Sequence, residues 1–205
     1  MEKTKIKIKH EKGVGIITRI NVIESHLRQV FMSVVWTHKI QAQQGDIYLW
    51  RKNMCELIQI IASVLSTSGI ITAVFWDETC VKILSALASG VSLFITAYCK
   101  QYDLGTLHKK HKEVELEWLE LREDFVSILC DIRMERYTYE ELLSKRDELL
   151  NRKLELSKRT PDASKEAVDQ ASQCLKMRKD NTFSDEEIDS CLPSEAKKLK
   201  QENVR

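Results

Sequence analysis

The amino-acid sequence predicts an all-α fold: a two-helix transmembrane hairpin, flanked by an N-terminal amphipathic helix and a long C-terminal cytoplasmic helical region. Three observations predict it. Turn formers are scarce, six Gly and two Pro in 205 residues, which disfavours many-turned β architectures. Residues 57–76 and 83–99 carry no charge, although 31% of the chain is charged. Elsewhere apolar residues recur three and four apart, the period of a helix with one buried face.

Lys+Arg (32) and Asp+Glu (31) nearly cancel, so no global field points to a nucleic-acid partner. Residues 1–14 begin MEKTKIKIKHEK and read as a basic, frayed tail whose Lys3, Lys5, Lys7 and Lys9 touch anionic lipid weakly. Residues 21–44 read as an amphipathic helix with a stripe of Ile23, Leu27, Val30/Phe31 and Val34/Val35. That stripe suits either a membrane face or the C-terminal helices.

The first uncharged run, LIQIIASVLSTSGIITAVFW, has ten Leu, Ile, Val or Phe in twenty residues. As a helix it is about 30 Å long, the thickness of a bilayer's hydrocarbon core. The second, ILSALASGVSLFITAYC, has seventeen residues and seven such side chains. It is near the minimum that spans, and Lys82 and Lys100 lengthen its reach by snorkelling. Only Asp77-Glu78-Thr79-Cys80-Val81-Lys82 separates the runs, so spans of 57–76 and 81–99 are antiparallel neighbours. The outer flanks carry Lys39, Arg51, Lys52, Lys100, Lys109, Lys110 and Lys112 against Lys82 in the short loop. That asymmetry places both termini in the cytoplasm. Trp50, Trp76, Tyr48, Tyr98 and Tyr102 fall at the expected interfaces, where amphipathic rings are favoured. No signal peptide is expected, since the first long apolar run starts after residue 50. The competing reading, two core helices of a soluble bundle, requires both runs to be buried.

Within the hairpin, Ser85, Ser89, Ser92 and Thr96 share one face of the second helix, and Gln59, Ser63 and Ser66 one face of the first. Small residues four apart (Ala62/Ser66, Gly69/Ala73, Ser85/Ser89, Ala86/Gly90) allow close helix approach in lipid. The hydroxyl stripe has two readings. It serves helix packing, or, repeated around a ring of subunits, it is the weakly polar wall of a leak pathway. No ionisable residue lies inside either run, which argues against a proton relay or ion-coupled transport.

After the second span, Val114, Trp118, Leu121, Phe125, Ile128 and Ile132 alternate in steps of four and three. This heptad-like seam predicts one helix over 106–136 that packs on another helix, of the same chain or a neighbour, and makes it a candidate assembly surface. A break follows near Tyr137, and Thr138 with Glu141 has the form of a capping box opening a helix through Leu156. Thr160-Pro161-Asp162 is a turn before an Ala-containing helix over 163–178. Ser184 with Glu187 resembles another cap, and the KKLKQENVR tail lacks the hydrophobes to fold.

Catalytic signatures are missing from the sequence: no phosphate-binding glycine loop, nucleophile elbow or H-E-x-x-H is present. No enzyme activity and no cofactor are expected. His108 and His111 stand at a metal-binding spacing, but Lys109, Lys110 and Lys112 repel a cation and no further ligands complete a site. No metal is expected, and a contact with lipid headgroups is the stronger reading. The six cysteines contain no C-x-x-C pair and read as reduced packing residues.

The amphipathic helix, the two coupled spans, and the charged helix with Trp118 and Tyr139-Glu140-Glu141-Leu142-Leu143 form one arrangement. Ended by Thr160-Pro161-Asp162-Ala163, it resembles the SLATT domain, the two-transmembrane effector domain of bacterial conflict systems, over residues 15–180. The resemblance implies an inner-membrane effector in antiphage defence, held inactive until a partner sensor protein or nucleotide second messenger signals infection. It implies homo-oligomers that permeabilise the membrane, and it supplies no catalytic residues. The alternative is a membrane-anchored scaffold whose helices recruit a partner without forming a pore.

Overall fold

The computed structural model describes the backbone of residues 2–75 and 79–178 and the side chains of 18–72 and 79–177. Among the described residues five α-helices follow one another: α1 (Glu2–Phe75), α2 (Thr79–Tyr102), α3 (Leu104–Arg133), α4 (Tyr139–Arg159) and α5 (Lys165–Gln173), then one π-helical turn, Cys174–Arg178. There is no strand among the described residues. The fold is all-α, as the scarcity of turn formers requires.

α1 is the axis of the molecule, 74 residues long and about 110 Å from end to end. One half lies in a four-helix bundle with α3, α4 and α5, and the other half pairs with α2. The sequence suggested a separate helix over 21–44 and a frayed tail before it. Instead the backbone is helical without a break from Glu2. Gln43-Gln44-Gly45-Asp46 reads as a stop signal but is not one. Gly45 is buried, and a Cβ there would lie 3.7 Å from His108 Nδ1 and 3.8 Å from His111 Cβ. Packing against α3 carries the helix through it.

The N-terminal stripe packs on the C-terminal helices. Ile23, Leu27 and Val34 of α1 share one core with Val114, Trp118, Leu121, Phe125 and Ile128 of α3 and with Leu142, Leu149 and Leu156 of α4, while Ile132 is partly buried at its edge. α3 and α4 form a short antiparallel coiled coil. Val114, Leu121 and Ile128 are spaced by sevens, as are the three α4 leucines. Beside that file Glu117 bonds Arg159 and Asp124 bonds Arg152; each step of seven along α3 meets one of seven back along α4. This matching of acids on α3 to arginines on α4 fixes the register.

Two backbone joints shape the bundle. At Asp103 (φ 39°) α2 gives way to α3, and the aspartate caps α3 by accepting from the Thr106 amide at 3.2 Å. At Glu135 (φ 52°) α3 reverses into α4: the Arg136 amide donates to the Asp131 carbonyl and the Glu135 amide to the Ile132 carbonyl, each 3.1 Å. This is a Schellman closure with a glutamate where glycine is usual. The capping box of Thr138 and Glu141 then opens α4. After Arg159 the Thr160 hydroxyl accepts from Trp118 Nε1 at 2.9 Å, and Ser164 caps α5. α5 packs on α1 through buried Ala167 and Ala171, whose small side chains permit the approach. The Ala-containing helix expected over 163–178 is thus a shorter α5 and the π-helical turn. Trp76, Asp77, Glu78, the Ser184/Glu187 cap and the KKLKQENVR tail lie outside the described residues.

Candidate functional site: the hydroxyl face of the hairpin

Beyond the bundle, α1 and α2 stand alone as a pair. Leu87, Leu93 and Phe94 are 63%, 73% and 70% exposed, and only 6% and 11% of the most apolar windows on the two long apolar helices is buried. Among the described residues no other part covers them, so the soluble-core reading loses its requirement. An apolar belt this extensive is far beyond what a soluble surface carries. With spans of sufficient length, it makes this a membrane protein.

The sequence-predicted polar residues meet between the helices as rungs. Gln59 Nε2 donates to Thr96 Oγ1 at 3.1 Å, the Ser63 and Ser92 hydroxyls lie 3.5 Å apart, and Ser66 bonds Ser89. Ser85 is buried against Gly69, where a Cβ would fall 1.6 Å from the serine oxygen. Glycine is the residue that lets the backbones approach here. The same hydroxyls also bond backward along their own helices: Ser63 to the Gln59 carbonyl at 2.8 Å, Ser89 to Ser85 at 3.0 Å, Thr96 to Ser92 at 2.8 Å. Each hydroxyl named on this face therefore has a partner within the hairpin.

The hairpin has two unlike faces. One carries an open groove of about 390 Å³ lined by Ser63, Ser66, Thr67, Ser89, Ser92, Leu93 and Thr96. The other carries a groove of about 290 Å³ walled by Ile58, Ile61, Ala62 and Leu65 of α1 and Leu84, Leu87, Ala88 and Val91 of α2. Sequence spacing missed Thr67 as a member of the polar wall, although its step of four from Ser63 carries the signal. Below the groove Lys52 pairs with Glu56 at 3.5 Å. Trp50 is 64% exposed, and the rings of Tyr98 and Tyr102 lie 4.7 Å apart.

The seam of α3 lies elsewhere. Its residues are covered by α1 and α4 of the same chain, so in this conformation it presents no face to a second copy. His108 and His111 do not converge on a common point. His108 Nδ1 donates to the Gly45 carbonyl at 2.9 Å and His111 Nδ1 to Gln41 Oε1 at 2.6 Å. No group of three or more metal-ligating side chains occurs among the described residues.

His111 belongs to a buried polar node that the sequence did not disclose. Gln41 Nε2 donates to the Pro161 carbonyl at 3.1 Å, and Gln44 Oε1 accepts from the Ser164 amide at 2.7 Å. His38 is buried with its Nε2 3.8 Å from Glu115 Oε1, and its Nδ1 has no hydrogen-bond partner. Desolvation pushes the His38 pKa down, as does the nearby Arg122 charge, against the opposing pull of Glu115. Burial lowers that of His111 too. The available signal was phase: His38, Gln41 and Gln44 continue the apolar stripe of Leu27 and Val34 at helical spacing.

Comparison with known proteins places the matched region over nearly all of this architecture. The family model described as SMODS and SLOG-associating 2TM effector domain family 4 matches residues 23–187. No curated protein and no solved structure matches the chain.

Proposed function

The chain belongs to the SMODS and SLOG-associating 2TM effector domain family, membrane effectors of conflict systems, and from that premise we propose that copies of it assemble and open a leak across the bacterial inner membrane. The observation that carries this reading is the two-sided hairpin. Two helices cannot enclose water. A ring of hairpins turns the hydroxyl grooves toward a shared axis and leaves the aliphatic grooves to the acyl chains. The rungs and backward bonds make a single hairpin tolerable in lipid before assembly, because each hydroxyl of its polar face has a partner. Assembly is triggered in antiphage defence by a partner sensor protein or a nucleotide second messenger, with both termini on the cytoplasmic side. The chain performs no catalysis in this scheme.

Dye-loaded liposomes test the reading. Assembled protein releases dye, and replacing Ser89 and Ser92 with Leu abolishes release while carbonate-resistant insertion persists. Intact vesicles in the presence of assembled wild-type protein overturn it. A second reading, a passive anchor for a scaffold, is favoured by one observation: the rungs already occupy the hydroxyls within one hairpin. It predicts that an unrelated hairpin in place of this one preserves function.

A further inference from the structure

We propose that the polar node of His38, His111, Gln41, Gln44 and Glu115 is an acid-sensitive latch, holding the α4–α5 turn and α5 against α1 at neutral pH and releasing them on acidification. The argument begins with connectivity. Gln41 receives His111 on one side and donates to the Pro161 carbonyl on the other, and Gln44 accepts from the Ser164 amide. The node therefore ties α1, α3 and the turn at a single level. A carbonyl oxygen only accepts, so the Gln41 amide nitrogen faces Pro161 and its oxygen faces His111. His111 must then donate from Nδ1, and its neutral form satisfies the bond.

The His38 ring has no acceptor for a second proton at Nδ1, and burial opposes a charge on His111. His38 is 8% exposed and its Nδ1 faces no acceptor. Glu115 is the acid beside it, and Lys112 Nζ lies 2.6 Å from that carboxylate. The charges around His38 are Lys39 on its own helix and Glu115, Lys112 and Arg122 on α3. Lys110 adds its charge at His111, and the Tyr48 ring lies 5.3 Å away. The turn contributes the Pro161 carbonyl and the Ser164 amide, both already engaged. Burial, with Arg122, Lys39 and Lys112 outweighing the pull of Glu115, makes this a poor place for an imidazolium.

The sign follows. Both rings sit below the ordinary value of 6.5 while latched and return toward it when solvated. The opened state therefore binds more protons between the lowered values and 6.5. Latching is at full strength above that window and weakens as pH falls through it. One consequence rests on the leak reading: protons admitted by a pore would unlatch the bundle. The latch itself does not depend on it.

Hydrogen exchange on full-length protein in detergent, at about pH 7.4 and about pH 5.5 and corrected for intrinsic rates, tests the proposal. At the lower pH the amides of Ser164–Gln173 lose protection by about tenfold or more, while those of Leu121–Ile128 lose less. His38→Gln with His111→Gln reduces that loss below about threefold. Equal protection of the wild type at both pH values overturns the proposal, and so does an undiminished loss in the double variant. Should the double variant fail to fold, nuclear magnetic resonance of wild-type His38 decides. A ring that titrates in step with the Ser164 amide supports the latch, and one that titrates without disturbing it overturns it. Vesicle leakage is read separately, so failure here leaves the pore reading standing.

Discussion

Glu135 shows how one backbone angle can be set by its neighbours against its own preference. The Schellman closure demands a left-handed residue between α3 and α4, and a side chain there costs about 1 kcal/mol relative to glycine. The residue holds because Leu142 and Tyr137 anchor the chain beyond it, Leu142 in the core and Tyr137 packed against it. The Tyr137 hydroxyl also donates to Asp131 at 2.9 Å, a bond that raises the phenol's pKa. Glu135→Gly removes the strain and is expected to raise stability by about 1 kcal/mol, seen as a melting temperature higher by about 2–4 °C. An unchanged or lower melting temperature would mean that the larger backbone entropy of glycine in the unfolded chain cancels the relief. Nothing in the sequence marks position 135, because glutamate carries no signal for φ > 0. Thr138 and Glu141, three residues on, announce their capping box plainly.

At the scale of the element, α4 separates what holds a helix from what orients it. Its core contact is the file of Leu142, Leu149 and Leu156; its flank is the ladder of Arg152 and Arg159 with acids of α3. The arginine side chains are 48% and 61% exposed, and exposed pairs contribute about 0–1 kcal/mol each. A buried leucine contributes more: Leu149→Ala is expected to cost about 2–4 kcal/mol, whereas Arg152→Ala costs under about 1 kcal/mol. Denaturant melts of both variants check the ranking, and an arginine loss equal to the leucine loss would refute it. The seam was legible because apolar spacing survives any choice of partner. Which helix filled it was not legible, since one chain or two would bury the same residues. The continuity of α1 was hidden for a related reason. A glycine reads as a break unless the neighbour that needs its missing side chain is known, and His108 and His111 lie more than sixty residues away.

For the whole molecule, the decisive fact is a contrast between halves of one helix. α1 is buried along its stripe where it meets α3 and bare where it meets only α2, so a single rod passes from a protein core into lipid. That division was readable from the absence of charge, while the pairing of each hydroxyl across the hairpin needed coordinates. The proposed orientation rests on electrostatics, since the cations cluster at the bundle end of the hairpin. Cys80 at the start of α2 and Cys130 near the end of α3 are both exposed thiols, at opposite ends of the proposed topology. In spheroplasts of a strain whose Cys191 is serine, a membrane-impermeant maleimide is expected to label Cys80 at once and Cys130 only after lysis. Labelling of Cys130 in intact spheroplasts would invert the topology, and equal labelling of both would mean that the hairpin does not cross. The probe discriminates once Cys55 and Cys99, half-buried at the neck where α1 and α2 meet, are serine as well, because Cys174 is buried. The two accessible thiols therefore report on the two sides of the bilayer.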